Sequence, residues 1–144
     1  MKKQLTIKLA GLFIFAIISV TSKAQPNGTT TAKRNKVLDS LHITDPGEQK
    51  VLALYDDCIS EYLTDWSKLA SNPSSATTAQ RNDIEKSYQA RAKALKPDID
   101  ALRQKLVSNN AELMKFVQFS QYESQRMMVL LPKYQQALMK NAGH

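Results

Sequence analysis

From Leu52 to Leu69 the apolar residues fall at Leu52, Tyr55, Ile59, Tyr62, Trp66 and Leu69, in strictly alternating steps of three and four. An α-helix turns once in 3.6 residues, so these positions form one continuous stripe; a strand would need alternation by two. Asp57, Glu61 and Asp65 fall on the opposite face. A helix with one apolar stripe must bury it against another element, and the rest of the chain offers only helices for that purpose. No strand pattern occurs anywhere in it.

The helix boundaries follow from capping chemistry. In Ile43-Thr44-Asp45-Pro46-Gly47-Glu48, Asp45 can accept hydrogen bonds from the free N–H groups of a first turn. Pro46 suits the first helical position, and Glu48 is placed to reach back as the capping-box partner. Residues 71–75 (SNPSS) end this helix. Thr77-x-x-Gln80 is a second capping box, followed by a stripe through Ile84, Tyr88, Ala92, Leu95, Ile99, Leu102, Leu106, Leu113 and Phe116. This predicts one helix over residues 78–117, kinked at Pro97, which removes a hydrogen bond and crowds the preceding turn. Asn109-Asn110 is the alternative place for a break. Ser120-x-x-Glu123 reads as a third start, with Ser120 as the cap of a last helix over residues 121–140. Met127, Leu130, Leu131, Tyr134 and Leu138 line its apolar face, and Pro132 bends it.

These lengths predict an all-α fold of elongated antiparallel helical hairpins, with three main helices and a long kinked middle helix. At 1.5 Å per residue the middle helix is about 60 Å long, and its neighbours about 37 and 30 Å. The two shorter helices then lie along the two halves of the longer one. Such a thin layer cannot cover its apolar stripes on both sides, which predicts a homodimer. A compact three-helix bundle requires the middle helix to break at Asn109-Asn110.

Residues 1–24 read as a secretory signal peptide. Lys2, Lys3 and Lys8 precede the apolar run Leu9–Val20, and Ser22-Lys23-Ala24 places small residues where a signal peptidase reads. The run is too short for a membrane span, and no second segment reaches that length. Residues 25–44 read as a flexible tether, and 45–144 as the helical domain. The expected location is the periplasm or the exterior. The whole chain carries +7, but four of its 20 basic residues leave with the signal. Sixteen then face 13 acidic ones, a net +3. That balance, together with export, argues against a nucleic-acid partner. The single cysteine, Cys58, excludes a disulfide-built fold. It lies beside the apolar stripe and reads as core, with an intermolecular disulfide as the alternative.

Catalytic chemistry finds little support. Cys58 has no histidine at helical spacing, because His42 and His144 are the only two. Two separated histidines and one cysteine do not converge as a metal site. Asp56-Asp57 is no shared-proton pair, since adjacent helical residues point about 100° apart; a solvated face is expected. After the signal only Gly28, Gly47 and Gly143 remain, so there is no glycine-rich phosphate loop. No cofactor is expected, and no enzyme activity.

Two features suit binding. Lys86, Lys93, Lys96 and Arg103 share a stripe on the middle helix, opposite its apolar seam. It reads as a solvated face or as a basic surface that attracts acidic or unfolded partners. The methionines outside the signal are Met114, Met127, Met128 and Met139, all within the last 31 residues. Methionine fills cores, and it also suits surfaces that accept varied apolar partners; Met127 and Met128 are the candidate contacts.

The layout resembles the Spy/CpxP family of periplasmic helical proteins, the LTXXQ family, which places a Leu-Thr-x-x-Gln motif at helix starts in each half of the domain. Phe119-Ser120-Gln121-Tyr122-Glu123 lies where the second motif would be, with an aromatic for Leu, Ser for Thr and Glu for Gln. Residues 43–49 (ITDPGEQ) lie where the first would be, with Ile for Leu and the Gln displaced by two. The resemblance implies a thin, cradle-shaped dimer acting as an ATP-independent chaperone or as a modulator of an envelope stress sensor. Its partners would be unfolded or envelope proteins. The alternative is a structural module that docks one envelope partner. The first check is the N-terminus of the exported chain: sequencing should read from Gln25, and a chain retaining Met1 to Ala24 would be an anchored protein instead.

Overall fold

The computed structural model describes residues 42–141. The expected signal peptide, and the expected tether up to residue 41, lie outside the described residues. Three helices run through the rest: α1 (Pro46–Ser71), α2 (Thr78–Leu106) and α3 (Asn110–Asn141), with a 3-10 turn at Pro73–Ser75 between the first two. Among the described residues there is no strand. The protein is an all-α assembly of antiparallel helical hairpins. Both connections are short, so successive helices reverse direction and α1 runs parallel to α3.

Two of the three sequence-derived starts stand. Asp45 caps α1, its carboxylate accepting from the Glu48 backbone N–H at 2.9 Å, with Pro46 in the first turn. Thr77 and Gln80 form a reciprocal capping box at the start of α2. Glu48 does not reach back as a capping-box partner, however. Its side chain is buried and meets Lys105 Nζ of α2 at 2.9 Å. The same ammonium lies 3.0 Å from Asp45. One lysine in the last turn of α2 thus binds both carboxylates at the start of α1, and the two helix dipoles favour that placement.

The third start is a correction. The middle helix ends at Leu106, not near residue 117, and the chain reverses at residues 107–109. Asn109 supplies the new start. Its carbonyl accepts from Leu113 N–H at 2.9 Å, and its side chain accepts from Glu112 N–H at 3.4 Å. Ser120 and Glu123 therefore lie inside α3. The Ser120 hydroxyl donates back to the Phe116 carbonyl at 2.9 Å, the usual fate of a serine within a helix. Pro97 and Pro132 both lie within unbroken helices.

This break changes the packing. The helices have 26, 29 and 32 residues, about 39, 44 and 48 Å, so they match in length and close around a shared core. The first apolar cluster joins Leu52 of α1, Ile99, Leu102 and Leu106 of α2, and Phe116 and Phe119 of α3. The second joins Tyr62, Trp66 and Leu69 of α1 with Leu138 of α3, and Ile84 and Tyr88 of α2 pack against it. All three helices face both clusters, so the premise that an open two-helix layer needs a second copy does not hold. The last residues of the expected tether are packed as well. Ile43 is buried in the first cluster, and its carbonyl accepts from the Gln49 side chain at 2.6 Å. Cys58 is a buried free thiol.

The corrected boundary makes opposite forecasts for two alanine substitutions. Asn109→Ala should cost about 1 kcal/mol through loss of the cap. Ser120→Ala should lie within about 0.5 kcal/mol of wild type, since alanine is the better helix former. Urea unfolding of both variants tests this, and a larger loss at Ser120 would restore the turn there.

Candidate functional site

The two apolar clusters do not merge between α1 and α3. Between them, on the facing sides of those helices, lie Asp56 and Ser60 of α1 and Glu123 and Arg126 of α3. Both pairs sit one helical turn apart, which aims their side chains at the same space. Arg126 Nη1 donates to Asp56 Oδ1 at 2.7 Å and to both Glu123 oxygens, at 3.0 and 2.8 Å. Its Nη2 donates to Ser60 Oγ at 2.9 Å. Ser60 in turn donates to Asp56 Oδ1 at 3.5 Å. Glu123 is 0% exposed and Asp56 1%. The guanidinium also lies 5.6 Å from the centroid of the Tyr122 ring, within reach of a cation–π contact.

Two buried carboxylates share one buried cation, so the fully ionised cluster carries an uncompensated negative charge. Burial is the main force that pushes the Glu123 carboxyl up, to about 8; Arg126 opposes it and Asp56 adds to it. A proton held on Glu123 leaves a neutral cluster at neutral pH. Beside it, burial pushes the Tyr88 phenol up to about 12, and the Tyr55 phenol still higher. The Cys58 thiol is likewise raised by burial, against the pull of Arg91. None of these is poised as a nucleophile, since a nucleophile needs a lowered pKa or an adjacent base. Among the described residues no group of three or more His, Cys, Asp and Glu side chains could hold a metal ion.

The sequence-derived candidates do not converge on one site. Lys86, Lys93, Lys96 and Arg103 are all exposed on α2. Lys96 pairs with Asp100 one turn away, which partly neutralises that stripe. Thr44 is exposed and Asp45 caps α1. Met127 is half-buried and packs against the second cluster, its sulfur accepting from the Tyr88 hydroxyl at 3.7 Å. It is core rather than surface. Met128 is 63% exposed, and Met139, Met114 and Val129 are 64, 46 and 45% exposed. All four lie on the outward side of α3. Asp56, read as part of a solvated face, is instead buried, while Asp57 is exposed. The signal for Asp56 was its place one residue from the Tyr55 stripe position. No signal marked Arg126 as its partner, because 70 residues separate them.

Comparison with family models, with curated proteins and with solved structures returns no match to this chain. None of the described helices is long and apolar enough to cross a membrane.

The cluster gives the fold a pH dependence of defined sign. Glu123 titrates near 4.3 in an unfolded chain and higher in the folded one. The folded state therefore holds the extra proton, and the stability this contributes is greatest below about pH 4.3. It should fade as pH rises through 8. Urea midpoints measured from pH 5 to 8.5 should fall, and Glu123→Gln should flatten that slope. Arg126→Met should cost about 3–5 kcal/mol, because it leaves buried carboxylate unanswered. A flat profile for wild type would mean Glu123 is ionised throughout.

Proposed function

We propose that this chain is an exported helical binding protein that holds other polypeptides without energy input, in the manner of a periplasmic chaperone or envelope-stress modulator. The observation that carries the reading is the outward display of Met114, Met128 and Met139 on one helix. Three flexible thioether side chains on one outward face offer adaptable apolar contact to varied partners. The signal-like leader, the lysines of α2 and the resemblance of residues 43–49 at the start of α1 to the LTXXQ motif support the same reading. The proposed partners are unfolded or envelope proteins, with long-range attraction by Lys86, Lys93, Lys96 and Arg103 preceding short-range contact at the methionines.

A second reading, a module that docks one defined partner, is favoured by the confinement of the exposed methionines to a single helix. Light scattering of several unrelated unfolded proteins during aggregation separates the two. A chaperone delays aggregation of most of them, and a docking module delays none. For a chaperone, changing Lys86, Lys93, Lys96 and Arg103 to Gln should slow client association, as should added salt, which screens exposed charges over about 8–10 Å. Stability should shift by no more than about 0.5 kcal/mol per site. Equal association rates for both proteins at low and high salt would reduce the α2 stripe to a solvated face.

A further inference from the structure

The outward face of α3 differs from the outward faces of its neighbours. From Met114 to Met139 its positions at alternating steps of four and three hold three methionines, four glutamines and Pro132, with no charge among them. All are exposed or half-exposed. The equivalent outward faces carry Lys50, Asp57, Glu61 and Lys68 on α1, and Asp83, Lys86, Lys93 and Asp100 on α2. The methionines of the α3 strip recur at the spacing by which one helix lies along another, and uncharged glutamines and Pro132 fill the positions between them. The strip is about 37 Å long and about 10 Å wide. Its footprint of roughly 400 Å² is half of what each partner in a standard stable interface buries. The strip therefore fits one helix, bound reversibly, and not a folded domain.

One edge of the strip is basic. Lys115, Lys133 and Lys140 stand 18 and 7 residues apart, close to five and two whole turns, so they align along α3. Lys133 and Lys140 have no acidic residue three or four positions away on either side. Among the described residues none of the three lysines makes an ion pair, and Lys115 donates only to the His42 carbonyl, at 3.3 Å. The opposite edge carries Val117, Ser124 and Leu131. A second copy of this chain cannot answer those lysines. Antiparallel pairing through the strip sets Met114 against a second Met139, and so brings Lys115 beside a second Lys140. Parallel pairing sets the lysine edge against Val117, Ser124 and Leu131, which offer no carboxylate.

We infer that the outward face of α3 is the docking site for an amphipathic helix whose apolar stripe is bordered by aspartate or glutamate. The inference rests on the polypeptide-binding reading and names the class of segment bound. Methionines supply adaptable apolar contact, the glutamines between them pair with polar groups of the bound helix, and the lysine edge fixes the orientation and rejects basic helices.

The probe is a labelled synthetic helix of about 25 residues, with a leucine and alanine seam and glutamate on both flanks; the control carries lysine on those flanks. Fluorescence anisotropy with the full chain should show the glutamate helix binding about tenfold tighter than the lysine helix, the sum of two or three exposed pairs. Lys133→Glu/Lys140→Glu should erase or reverse that preference. Met114→Gln/Met128→Gln/Met139→Gln should weaken both peptides, with thermal melts confirming that the variants fold. Equal binding of the two peptides, a preference untouched by the lysine reversal, or affinity untouched by the methionine changes would overturn the inference. So would a dimer in sedimentation that the methionine changes dissolve, since the occupant would then be a second copy. A chain that protects aggregating proteins yet ignores the glutamate helix leaves the proposed function standing without this site. A chain that binds the helix but protects nothing does the reverse for the chaperone reading.

Discussion

Arg126 holds the bundle in register. It reaches from α3 to Asp56 and Ser60 of α1 while binding Glu123 of its own helix. No single loop joins α1 to α3, so nothing local fixes how these two parallel helices slide past each other. Apolar surfaces tolerate a slip of one turn far better than buried charges do. A one-turn slip here would strand a guanidinium and two carboxylates in a dry interior, which costs several kcal/mol per ion. The cluster is a poor source of net stability for the same reason. Dehydrating three ionisable groups offsets most of their attraction, and burial favours a proton on Glu123 over a surplus charge. The cohesive energy comes from the apolar clusters above and below, where Phe119, Leu52 and Leu106 are nearly inaccessible to solvent.

The same cluster decided what could be read from the sequence. The start of α1 at Asp45-Pro46 and the start of α2 at Thr77 were legible because caps are local chemistry, settled within four residues. The stripe of α1 was legible because its inward positions are mostly apolar. Along α3 the inward positions run from Leu113, Phe116 and Phe119 to Leu131, Tyr134 and Leu138, but Ser120, Glu123 and Arg126 interrupt them with polar side chains. A stripe that turns polar in mid-course looks like the end of one helix and the capped start of another. Only the partner 70 residues away on α1 explains the interruption, and periodicity within one helix carries no trace of it. The true boundary at Asn109 was weaker on its face, since an asparagine in a seam position also occurs within helices.

The candidate surface was legible in kind and misplaced in detail. Clustering of the methionines toward the C-terminal end was plain, but adjacent Met127 and Met128 point about 100° apart on a helix, so one can pack while the other faces water. Met127 goes to the Tyr88 hydroxyl and Met128 to solvent. Once α3 is known to begin at Asn110, Met114 and Met139 join Met128 on one face. With the helix boundary near residue 120, Met114 belonged to a different element and the strip could not be drawn.

The span between Asp56 and Arg126 also has a temporal meaning. A chain emerging N-terminus first presents α1 and α2 before α3, and those two can pair as a hairpin through Leu52, Ile99, Leu102 and Leu106. Asp56 then lacks the Arg126 guanidinium that meets it in the complete chain, and burying its carboxylate at that stage is costly. Dehydration awaits the arrival of Arg126, a contact with a high loop-closure cost. Folding is thereby deferred until the whole chain is present, so an α1–α2 fragment alone has no dry interior in which to settle.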